Sequence, residues 1–152
     1  MTGANAEQRA WFFYDWANSA YITTVATVLV GPYLTNVAER AACGHVGTVG
    51  RPCQEHLSVL GLSVSAGSLV FYVITASTLL SAFVLPFVGA IADRVPSRRR
   101  LMGQLAWSGA AVTALLFLVT GSNWQLGCLL LLLSNILYGS SLVVYDALLI
   151  DV

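Results

Sequence analysis

The chain has 152 residues, of which 57% are hydrophobic and only 9% charged, against about 25% charged in an ordinary soluble domain. Seven arginines balance seven acidic residues, so no basic field exists to attract nucleic acid, and nucleic-acid binding is set aside. No Asp, Glu, Lys or Arg occurs in 16–38, 56–92 or 101–145, a distribution suited to lipid and not to water.

A membrane-spanning helix takes about 20 mostly apolar residues, so the three charge-free stretches hold four spans. Arg9 and its neighbours resemble the start of a signal peptide, but the apolar run that follows is too long and contains Asp15, so the first helix is read as retained. That helix covers about 11–37, with Pro32 near its far end, and leads to a polar outer loop over 39–60. The second span, 65–92, contains Pro86, which a membrane helix tolerates because neighbouring groups re-satisfy the freed carbonyl. A loop over 93–100 follows. The third span is 101–120 and the fourth 125–150, divided at Gly121-Ser122-Asn123-Trp124. The expected fold class is all-α integral membrane with four transmembrane helices. No low-complexity segment or clear internal repeat is visible.

Arg9 and the four arginines of 93–100 fall on one side of this arrangement and Arg40 and Arg51 on the other, five against two. Short loops rich in arginine stay cytoplasmic, which puts the N-terminus and 93–100 inside, and the Cys-containing loop and Asn123 outside. Trp11, Trp107 and Trp124 are candidate interface anchors, although Trp107 is deep enough to serve in packing instead.

Asp15, Asn18 and Ser19 stand at i, i+3 and i+4, on one face of the first helix. A carboxylate inside a span usually faces the bundle interior or a water-filled path, where it binds a cation or carries a proton. Asp15 is also only about five residues, roughly 7 Å, from the helix start, so simple access to cytoplasmic water is an equal reading. On the fourth helix Asn135, Tyr138, Tyr145 and Asp146 recur at helical spacing as one polar edge, with Asp146 and Asp151 at the cytoplasmic end. If Asp15 and Asp146 share a side of the membrane, they can share a cation, a proton or an arginine. For Asn135 the preferred reading is an interhelical hydrogen bond that holds helices together.

Gly89, Asp93, Arg94 and Arg98 fit Gly-x-x-x-Asp-Arg-x-x-x-Arg at a helix exit. Gly89 lets another helix approach, Asp93 accepts from an arginine or a helix N-terminus, and the arginines hold the loop inside. A purely topogenic loop is the plainer reading, but the glycine spacing is more specific than an arginine run alone. In the outer loop Cys43, His45, Cys53 and His56 invite zinc, yet their spacing matches no standard finger. A Cys43–Cys53 disulfide in an oxidising compartment is preferred, so no metal site is expected. Cys128 reads as a small buried hydrophobe. There is no Ser-His-Asp arrangement, nucleotide loop or metalloprotease helix, so neither an enzyme nor a cofactor is expected.

These residues also carry a resemblance. The loop read on Gly89, Asp93, Arg94 and Arg98 resembles the motif joining the second and third helices of major facilitator transporters. The opening Trp11-Phe12-Phe13-Tyr14-Asp15-Trp16-Ala17-Asn18-Ser19-Ala20 and the segment Tyr145-Asp146-Ala147-Leu148-Leu149-Ile150-Asp151 are similar to the vacuole-effluxer-like branch, whose eukaryotic members export amino acids. Two departures are visible: Pro96 and Ser97 replace the family's usual Gly and basic residue, and Asp146 stands where the branch often has Asn.

The resemblance implies about twelve helices in two halves built from three-helix repeats, with the loop Asp and Arg latching the cytoplasmic side during alternating access. Four helices are then the N-terminal part of such a fold, and the expected partners are lipid, a small polar solute of the amino-acid kind, and the missing C-terminal helices of the same transporter. The end at Val152, directly after a helix, agrees with a fragment. The expected location is multi-pass in a bacterial inner (plasma) membrane. Two alternatives stay open: a self-sufficient four-helix oligomeric exporter, and a structural membrane subunit for a separately encoded partner.

Overall fold

A computed structural model describes residues 6–59 and 61–148. The chain divides into two compact units, Met1–Tyr33 and Leu34–Val152, and each is described by itself.

The first unit is helical. Helix α1 (Ala6–Ala20) continues into a π-helical segment, Tyr21–Leu29, and then into α2 (Val30–Cys43), which runs on into the second unit. The π segment has a local cause. Ile22, Thr23, Thr24, Val25, Thr27 and Val28 are β-branched and crowd the preceding α-helical turn, and its threonine hydroxyls compete for backbone carbonyls. A wider turn with i→i+5 bonds relieves both, as in the Val30 N–H donating to the Val25 carbonyl.

In the second unit α2 ends at Cys43, beyond the 37 expected from sequence. Glu39 and Arg40, read from sequence as the start of a loop, lie inside the helix. An antiparallel hairpin follows, β1 (His56–Val59) with β2 (Leu62–Ser65), in the register His56↔Ser65 to Val59↔Leu62. Gly61 takes φ +85°, the left-handed region that favours glycine at a tight turn. A single 3-10 turn, Ala66–Ser68, leads into α3 (Leu69–Arg94), which passes through Pro86 without ending. Helix α4 (Arg98–Leu115) begins within the arginine cluster and finishes in a 3-10 turn, Leu116–Leu118. Helix α5 (Trp124–Leu148) completes the described chain; Asp151 and the expected last residues of the fourth span lie outside it.

Helix α5 lies against both α3 and α4, which barely meet each other. Its seams are made by small residues, as expected where lipid gives helices no hydrophobic reason to associate. Ser134, Ser140 and Ser141 are buried, and the Gly139 backbone faces the Leu85 side chain. At the end that carries the hairpin, Val37, Val119 and Leu130 form one apolar cluster, and Ala38, Leu57, Ala66 and Leu69 another with Val59, Val64 and Cys128 at its edge. Trp124 packs against both clusters, whereas Trp107 is 80% exposed and packs against little. Outward-facing Phe71, Phe83, Phe87 and Phe117 complete a surface compatible with lipid.

Among the described residues, four helices are long and apolar enough to cross a membrane: Gln8–Cys43, Ala66–Arg94, Arg98–Leu118 and Trp124–Leu148.

Candidate functional site

On α1, Asp15 and Ser19 are exposed and Asn18 is half-buried. The Asn18 amide nitrogen is out of contact with solvent and has no hydrogen-bond partner. An unmade bond of this kind costs about 1–3 kcal/mol, so the position is suited to a group that arrives from elsewhere. Phe12, Phe13 and Trp16 are exposed on the same helix. Asp15 and Asp146 lie in the two separate units.

The motif at the connection between α3 and α4 is built around Arg98. Its Nε donates to the Ala92 carbonyl at 3.1 Å and its Nη1 to the Ala147 carbonyl at 3.4 Å. Ala92 belongs to the last turn of α3, whose end carries unpaired carbonyls and partial negative charge, and Ala147 belongs to α5. One guanidinium therefore ties the C-terminal end of α3 to α5, which its planar fork of donors permits. A third contact, Nη2 to Asp93 Oδ1 at 3.7 Å, is an ion pair with Asp93 73% exposed and Arg98 27% exposed. Gly89 faces Val143 of α5, where an added Cβ would meet Cγ1 at 3.7 Å, an ordinary contact. The tightest glycine is Gly127, which sequence reading did not single out. A Cβ there would come within 2.6 Å of Leu34 Cδ1 and 3.1 Å of Val119 Cγ1.

Along α5, Asn135 Nδ2 donates to Ser77 Oγ of α3 at 3.2 Å, and that hydroxyl passes its own proton to the Ile74 carbonyl at 2.8 Å. This is the interhelical bond preferred for Asn135. A second such bond, Thr113 with Ser134 at 2.9 Å, joins α4 to α5. The expected polar edge divides at its cytoplasmic end. Tyr138 is half-buried and Tyr145 is buried, whereas Asp146 is exposed, because Tyr145 and Asp146 are adjacent and point about 100° apart around the helix.

Cys43 and Cys53 form a disulfide with a Cα–Cα distance of 5.9 Å. The bond occupies both sulfurs, which removes them as zinc ligands, and among the described residues no group of three or more His, Cys, Asp or Glu could hold a metal ion. His45 Nδ1 donates to the Cys43 carbonyl at 2.9 Å. The Glu39 carboxylate accepts from the Gly47 N–H at 2.7 Å, and a Cβ at Gly47 would lie 3.2 Å from its Oε1. Glu39 and the disulfide thus pin the same loop back onto the end of α2.

Four apolar spans, small-residue helix seams and an arginine bridging α3 and α5 define a polytopic α-helical membrane protein. The family described as vacuole effluxer Atg22 like matches residues 4–150, and the chain belongs to it. The Bacillus subtilis protein described as an uncharacterised MFS-type transporter YxiO is 30% identical over 146 residues, covering 96% of this chain and 30% of that protein. Autophagy-related protein 22 of Gibberella zeae is 25% identical over 152 residues, covering 93% of this chain and 23% of its own length. The protein of the same description in Neurospora crassa is 29% identical over 89 residues, covering 59% of this chain and 12% of its own length. The chain therefore spans 30% or less of each of these relatives. No solved structure matches it.

Proposed function

We propose that the chain is the N-terminal part of a secondary-active transporter that moves a small polar solute by alternating access. Asp15 carries the reading: it is a carboxylate inside the first span, Gln8–Cys43, where an ionisable side chain is expensive and marks a solute or ion path. Family membership and the greater length of the relatives support a partner made of further helices of the same transporter. Asp15, Asn18, Ser19, Asn135 and Asp146 are the proposed path residues, with an amino acid as the proposed solute. Gly89, Asp93, Arg94 and Arg98 form the proposed cytoplasmic latch, Arg98 holding α3 to α5 while exposed Asp93 remains accessible to the second half. The proposed setting is a bacterial inner membrane with the N-terminus in the cytoplasm.

The test is uptake of labelled amino acids into energised vesicles carrying the product of the complete reading frame. Wild type should accumulate solute, and Asp15→Asn should abolish accumulation while leaving exchange down a gradient. Accumulation by Asp15→Asn at the wild-type rate contradicts the role of Asp15. If no amino acid or other small polar solute moves in wild type, the transport reading fails.

A further inference from the structure

The π-helical segment carries two hydroxyls whose chemistry the path residues above leave unused. Thr23 Oγ1 donates to the Ser19 carbonyl at 2.7 Å, and Thr27 Oγ1 donates to the Ile22 carbonyl at 2.7 Å. A hydroxyl has one proton and two lone pairs. With the proton committed to the backbone, each oxygen offers only lone pairs to anything that approaches. Thr27 reaches a carbonyl five residues back, not four, so the π register sets how this side chain is seated.

Asp15, Ser19, Thr23 and Thr27 step by four along the helix and share a face, and all four are exposed. At 1.5 Å per residue in α1 and less in the wider π turns, the series extends about 16 Å from Asp15, about half of a hydrocarbon core about 30 Å thick. A carboxylate at the start and acceptor-only hydroxyls further in make a surface complementary to positive charge.

We propose that Asp15, Ser19, Thr23 and Thr27 form an acceptor track that takes a monovalent cationic group, either the ammonium of a protonated amine or an alkali ion. The inference deepens the transport reading and rests on it for the purpose of the track. The competing arrangement is a set of back-bonded threonines turned to lipid, where a satisfied hydroxyl costs little.

Thiol accessibility separates the two in membranes carrying the full chain, with Cys128→Ser as background. Single variants Thr23→Cys and Thr27→Cys are treated with the cationic aminoethyl and the anionic sulfonatoethyl methanethiosulfonate, each rate corrected for the reagent's reaction with a free thiol. Asn123→Cys, on an exposed turn, is the reference and should show no charge preference. At the track positions the cationic reagent should react about tenfold faster or more, and adding Asp15→Asn should bring the ratio towards one. Slowing by methylammonium identifies an amine, and slowing by sodium an alkali ion. Unreactive thiols, equal rates for both reagents, a ratio indifferent to Asp15→Asn, or protection by neither cation each overturns the proposal. A variant that misfolds, judged by its elution in detergent, is replaced by Ser19→Cys. Labelling needs no turnover, so charge-selective labelling in a chain that moves no solute sinks the transport reading alone. Active transport with charge-indifferent labelling sinks the track alone.

Discussion

Arg98 and Asp93 are paired, yet they do different work. Arg98 donates to the Ala92 carbonyl of α3 and the Ala147 carbonyl of α5, and hydrogen bonds from a charged donor contribute about 1.5–3 kcal/mol each. Partial exposure puts the loss near the lower end, so Arg98→Ala should destabilise the protein by about 2–3 kcal/mol, read as a fall in Tm in detergent. Arg98→Lys should recover only part of this, because a point charge cannot serve both carbonyls at once. Asp93 is 73% exposed, so Asp93→Asn should change stability by less than about 1 kcal/mol while impairing transport if it meets the second half. An equal loss of Tm in the two variants would show that the ion pair, not the carbonyl contacts, holds this junction. Asn135→Leu should cost about 0.6–2 kcal/mol by the same assay, the range for interhelical hydrogen bonds in membranes. Ser77 keeps its own bond to the Ile74 carbonyl, which limits that cost.

The helices differ in how closely they tolerate their neighbours. Gly127→Ala places a methyl 2.6 Å from Leu34 Cδ1 and 3.1 Å from Val119 Cγ1, and both Leu34 and Val119 are buried. Overpacking of this kind costs about 1–3 kcal/mol. Gly89→Ala meets only an ordinary contact at Val143 and should leave Tm unchanged or slightly raised, since alanine is the better helix former. If Gly89→Ala is instead the more damaging of the two, α5 approaches α3 more closely than this packing shows. Reduction of Cys43–Cys53 releases a short loop and should lower Tm by about 2–3 kcal/mol equivalent, with no effect of reductant on the Cys43→Ser, Cys53→Ser double variant. The spans were legible because a charge-free run of sufficient length has few other uses. Helix ends were less so: Glu39, Arg40, Arg98, Arg99 and Arg100 are polar yet helical, so charge did not locate the edge of the helix. The hairpin was missed although its signal is present. Leu57-Ser58-Val59 and Leu62-Ser63-Val64 repeat around Gly61, and Leu57 is buried beside exposed Ser58, the period of two that marks a strand. That short pattern adjoins a much longer apolar run, which masks it. The tight site at Gly127 had no such signal, because its contact is with Leu34, far away in the chain. The π segment left a composition trace in its β-branched run, but such runs also occur in ordinary membrane helices.

At the scale of the whole molecule, the proposed orientation rests on the arginines and on the segment that carries the disulfide. The disulfide, the Glu39 staple and the hairpin cluster at one end of the second unit, and Arg98 with the arginine cluster at the connection between α3 and α4. A disulfide persists in an oxidising compartment, while arginine-rich short loops remain in the cytoplasm. The proposed path and latch both require this proposed orientation. It is tested most directly by an impermeant thiol reagent applied to cells expressing variants with one introduced free cysteine in the Cys128→Ser background, the Cys43–Cys53 disulfide being kept. Ser63→Cys and Asn123→Cys should be modified in intact cells, and Gln8→Cys and Arg99→Cys only after the membrane is opened. Modification of Arg99→Cys in intact cells, or protection of Asn123→Cys until lysis, would contradict the four-span arrangement with its latch inside.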